Sequence, residues 1–121
     1  MNYETCTVVE SKLRPGVQFV ISRMSFGRRI DLMKRIRELA PRWEYLTAGK
    51  SPEEKLEAGL LSAEIGRLYV VWGLREVRGL DLDGAPATPE SLASEGPEDV
   101  FQEALAAIKA ECGLSEEERK N

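Results

Sequence analysis

Few residues in this chain could do chemistry. Its 121 residues include no histidine, which removes the commonest general base and the commonest metal ligand. The two cysteines, Cys6 and Cys112, stand near opposite ends. Two thiols without an imidazole make no zinc ligand set, and no serine or cysteine has a histidine to activate it. Both cysteines are expected as reduced thiols. Asp81-Leu82-Asp83-Gly84 opens like a calcium loop, which needs glycine at its sixth position and a bidentate glutamate at its twelfth. Pro86 and Leu92 occupy those positions, so the segment reads as a turn. No glycine-rich phosphate loop occurs. Adjacent carboxylates such as Glu53/Glu54 and Glu117/Glu118 diverge on a helix and cannot share a proton-transfer task. The expectation is a protein that is not an enzyme and carries no metal or cofactor.

Charge is the stronger signal. The net charge is −4, but residues 23–42 carry seven bases (Arg23, Arg28, Arg29, Lys34, Arg35, Arg37, Arg42) against Asp31 and Glu38, a local +5. Residues 76–121 carry twelve acids and four bases, a local −8. Such asymmetry suits a solvated face and a solvated tail, or head-to-tail association in which one copy's basic helix meets the acidic third of the next. A homo-oligomer is therefore expected. The acidic total argues against nucleic acid as partner. No apolar run reaches the length of a membrane span, so no membrane partner is expected. The start, Met1 to Thr5, does not read as a signal peptide.

The elements that must position these groups follow from periodicity and capping. Thr and Val enrich residues 6–10, and Val17, Phe19 and Ile21 alternate with Gln18, Val20 and Ser22, the period of two of a strand. Arg14-Pro15-Gly16-Val17 between them suits a type II turn, so residues 6–22 are predicted as a β-hairpin. An isolated hairpin is not stable, so its apolar face must lie on helices or another strand. Ser25 caps a helix whose positions Ile30, Met33, Ile36, Leu39, Trp43 and Leu46 form one stripe. Pro41 should kink this helix over about 25–48, with Gly49 ending it. Ser51-Pro52-Glu53-Glu54 starts a second long helix, over about 51–77. Its apolar residues are too many for one stripe, so contact on two sides is expected. Residues 68–72 also have strand character, but the long capped pattern before them favours helix. Residues 79–86 form a short extended turn, tight at Asp83-Gly84. Thr88-Pro89-Glu90 and Gly96-Pro97-Glu98-Asp99 start two C-terminal helices, and Gly113 ends the last. The prediction is one helix-rich α+β domain spanning 1–121, with a helical body over 25–113 and an acidic tail over 114–121. Ser115-Glu116-Glu117-Glu118 opens a capping box, which suggests a product continuing past Asn121.

Two stretches resemble a known family. Trp72-Gly73-Leu74-Arg75-Glu76-Val77 leads into Gly79-Leu80-Asp81-Leu82-Asp83-Gly84-Ala85-Pro86-Ala87-Thr88-Pro89-Glu90-Ser91-Leu92. Upstream, Val17-Gln18-Phe19-Val20-Ile21 precedes Met24-Ser25-Phe26-Gly27-Arg28-Arg29. This order resembles the tail assembly chaperones of long-tailed bacteriophages and their prophage relatives, over about residues 5–113. The resemblance implies a non-enzymatic protein of the bacterial host cytoplasm. Its partners would be the tape measure protein, kept soluble by several copies of the chaperone, and the tail tube protein. It also implies absence from the finished virion and, in many phages, a frameshifted longer product. The family carries no catalytic motif, so no catalytic residues transfer. Phe26, Arg28, Arg29, Arg35, Trp43 and Tyr45 are the expected contact residues. A minor structural tail or tail-completion protein is the alternative, and a small nucleic-acid-binding regulator the second.

Overall fold

A computed structural model describes residues 1–113. The side chains of Ala40, Trp43, Leu46 and Thr47, and the capping box at 115–118 with the rest of the acidic tail, lie outside the described residues. The chain is helix-rich α+β, in the order β1 (Cys6–Glu10), β2 (Gln18–Ser22), α1 (Phe26–Arg37), α2 (Ala40–Ala48), α3 (Pro52–Gly73), β3 (Leu74–Arg78), β4 (Asp81–Leu82), β5 (Ala85–Pro86), α4 (Pro89–Glu95) and α5 (Glu98–Glu111). It divides into two compact units, residues 1–24 with 69–113, and residues 25–68.

The first unit holds the sheet. β1 and β2 pair antiparallel with Val8 opposite Val20. The turn between them closes through the Val17 amide on the Arg14 carbonyl at 3.1 Å, with Gly16 at φ +92°, as a type II turn requires. β2 is the central strand, because β3 pairs antiparallel with its other edge. This corrects the predicted second helix, which ends at Gly73 rather than continuing to residue 77. The misreading has a physical cause. Leu74 and Val77 are both buried and three apart, which is helical spacing. A β-bulge supplies it instead: Ile21 faces Leu74 and Val20 faces Glu76, leaving Arg75 as the extra residue. Arg75 Nε donates to Ser22 Oγ at 2.9 Å.

Phe19, Ile21, Val70, Leu92, Val100 and Ile108 are fully buried and form the core of this unit. Thr88 caps α4 by accepting from the Ser91 amide, and the Ser91 hydroxyl accepts in return from the Thr88 amide. β4 and β5 form the small hairpin expected at Asp83-Gly84, with φ values of +52° and +83°. The loop Ser11–Arg14 is tied to α5, 92 residues away in sequence for Ser11. Ser11 Oγ and the Lys12 amide donate to Glu103 at 2.5 and 2.8 Å, and Arg14 pairs with Asp99 at 3.3 Å. Burial alone would raise the Glu103 pKa; donors from Ser11, Lys12 and Leu13 outweigh burial and the nearby Asp99 and hold it below its ordinary 4.5.

The second unit is helical. Ser25 caps α1, accepting from the Arg28 amide at 3.2 Å. The predicted kinked helix over 25–48 is in fact two helices. α1 stops at Arg37, and the Leu39 amide reaches back to the Ile36 carbonyl at 2.8 Å. Pro41 has no N–H for the Arg37 carbonyl and its ring clashes there, so the break falls one turn before the proline. Pro41 then sits in the first turn of α2, where a missing donor costs nothing. Ser51 Oγ accepts from the Glu54 amide at 3.1 Å and donates to its carboxylate at 2.9 Å, starting α3. Ala58 and Leu61 form a small core with Leu39 packed against it.

Candidate interaction surface

The second unit turns large apolar side chains outward on two helices. On α1, Leu32 is buried at 6% exposure, while Phe26 is 85% and Met33 60% exposed. At 3.6 residues per turn, Phe26, Ile30, Met33 and Arg37 fall within about 60° of one another around the axis. Arg29 and Lys34 flank this stripe, one on each side. A shallow groove of about 280 Å³ runs along it, lined by Ile30, Met33, Lys34 and Arg37. Asp31 and Glu38 lie away from it, so the stripe has an all-basic rim.

α3 carries a similar stripe with an acidic edge, although Arg42 lines its groove and the exposed Arg67 continues the line of the stripe one turn beyond Ala63. Its inner face buries Ala58 and Leu61, while Leu56 and Leu60 are 68% and 61% exposed. Leu56, Leu60 and Ala63 span about 60° of the α3 circumference, with Glu53 and Glu64 along one edge. A second shallow groove of about 250 Å³ is lined by Arg42, Glu57, Leu60, Leu61 and Glu64. Arg42 on α2 reaches Glu57 at 3.6 Å across it, an exposed pair worth little in stability. Burying one large apolar side chain is worth about 1.5–3 kcal/mol. Leaving Phe26, Met33, Leu56 and Leu60 in water forgoes that several times over, which makes these stripes candidate interaction surfaces.

The six expected contact residues do not form one patch. Phe26 and Arg29 share the outer face of α1. Arg28 is half-buried and Arg35 pairs with Asp31 at 3.0 Å, and both lie on the side of the helix away from Phe26. Tyr45 is exposed on α2. Trp43 belongs to the helical span of α2, but its side chain is outside the described residues. Sequence reasoning put Ile30 and Met33 on one apolar stripe of this helix without naming them among the contact residues; both are exposed. It also expected a second covered face on α3, where Leu56 and Leu60 are open. The excess of apolar positions on α3 was the available signal. Among the other aromatics, Tyr69 is buried and carries Lys109 Nζ over its ring at 5.6 Å.

Among the described residues, Cys6 and Cys112 are free thiols, the latter buried. No described group of three or more acidic or thiol side chains is placed to hold a metal ion. No described helix is long and apolar enough to cross a membrane. No family model, curated protein or solved structure matches the chain.

Proposed function

We propose that the chain is a non-enzymatic tail assembly chaperone of a long-tailed bacteriophage or prophage. In this role it binds the tape measure protein and tail tube subunits in the host cytoplasm. The reading rests on the order of motifs in residues 5–113, and the observation that carries it is the exposed Phe26–Ile30–Met33 stripe on α1. An apolar helix face with a charged rim receives amphipathic helical segments, and a long helical partner offers many of them to repeated copies. The protein then works by covering apolar surface, with no bond made or broken.

The test is co-expression with the tape measure protein of the same phage. The expected result is that the tape measure stays soluble and co-purifies with the chain. Phe26→Asp combined with Tyr45→Asp abolishes this while circular dichroism is unchanged, because both side chains are exposed. A tape measure equally insoluble with and without the chain refutes the reading.

A further inference from the structure

The two open stripes of residues 25–68 match each other. The α1 stripe is apolar with a basic rim (Arg29, Lys34, Arg37), and the α3 stripe is apolar with an acidic edge (Glu53, Glu64). We propose that they are the two halves of one interface: α1 of one copy packs on α3 of a second copy of this chain. Phe26, Ile30 and Met33 meet Leu56 and Leu60, with the basic rim of α1 set against the acidic edge of α3.

Charge complementarity selects this occupant. The acidic residues 76–113 are the rival, and their side chains are arranged differently. There the large apolar residues Leu92, Val100 and Ile108 are fully buried. Asp99 and Glu103 are already engaged by the loop Ser11–Arg14. That surface offers charge without an exposed apolar stripe, whereas α3 offers both. Helix pairing of this kind buries apolar side chains at its centre and leaves the charges at the rim, where they set register and partner choice more than affinity. The two faces differ, so the contact is heterologous: it builds rings or chains unless two copies exchange both contacts in one symmetric dimer. This contact uses the same α1 stripe as the proposed partner helix, so the two compete for it: α3 of a second copy covers the stripe when no tape measure segment is bound, and the self-contact is expected whether or not the chain serves in tail assembly.

Sedimentation velocity of the full chain, over a range of concentrations and at low and moderate salt, tests this. The expected wild-type result is concentration-dependent association, weakened but not abolished by salt. Met33→Glu and Leu60→Lys each weaken it at least tenfold. Two charge-reversed chains separate the interface from general stickiness. Lys34→Glu with Arg37→Glu sets acid against the acidic edge, and Glu53→Lys with Glu64→Lys sets base against the basic rim. Each alone is monomeric, and the two mixed associate again. These positions are exposed, so thermal melts confirm folding. A monomeric wild type at every concentration overturns the proposal. So does association that survives Met33→Glu and Leu60→Lys, or a mixture that stays monomeric. Loss of association only when Glu90, Glu95 and Glu98 are neutralised assigns the contact to the acidic third instead, and likewise overturns it.

Discussion

Gly79 is the position where a single methyl group should do most harm. It joins β3 to β4 with φ +78°, and a Cβ built there lies 2.1 Å from the Gly16 carbonyl oxygen. Gly16 is its natural control: φ is +92°, but a Cβ there meets nothing within 4 Å. Both substitutions to alanine incur the left-handed penalty of about 1–2 kcal/mol, offset by about 0.4–1 kcal/mol from a less flexible unfolded chain. Gly16→Ala should therefore cost about 0–1.6 kcal/mol. Gly79→Ala must also push a backbone carbonyl out of the turn that orients β2, and overpacking of that kind adds roughly 1–3 kcal/mol. Its loss should be about 2–4 kcal/mol. For a chain of this size one kcal/mol is roughly 3–5 °C in Tm. Parallel urea and thermal unfolding of the two variants, followed by circular dichroism, reads the difference. If the two losses agree within about 0.5 kcal/mol, the packing of one turn on the other contributes nothing and the reasoning fails.

Two further outcomes follow from the same unit. Glu103→Gln should destabilise the chain by about 1 kcal/mol at neutral pH, a figure discounted for the exposure of the carboxylate. Because the folded pKa lies below 4.5, the unfolded chain takes up the proton first on acidification. The contribution is full above the unfolded value and is lost as pH falls through the folded one. The gap between wild type and variant should accordingly close below about pH 4.5 in acid titrations of stability, and a gap independent of pH would show that the ionised carboxylate of Glu103 adds nothing to the clamp on Ser11. Gly73→Ala brings a Cβ to 2.6 Å from Ile108 Cγ2 and should cost about 1–3 kcal/mol by overpacking. Combined with Ile108→Ala, the losses should be less than additive by at least 0.5 kcal/mol in a double-mutant cycle.

What could be read from residues alone was local. Turn chemistry placed Gly16 and the Asp83-Gly84 hairpin, and side-chain caps placed the starts of α1, α3 and α4, because those decisions are made within four residues of chain. The acidic and basic blocks were equally plain, being sums over sequence. What tertiary structure decided was which apolar residues find a partner. Leu74 and Val77 looked helical until a bulge on β3 gave their spacing to a strand, and nothing near residue 74 announces where its partner β2 lies. Ser11 and Glu103 are 92 positions apart, so their bond has no local signature. Met33 and Leu32 are adjacent and both apolar, yet one is buried and the other open to water. Periodicity says that a helix has apolar faces; only the packing of neighbouring elements determines which face is covered and which is left for another molecule.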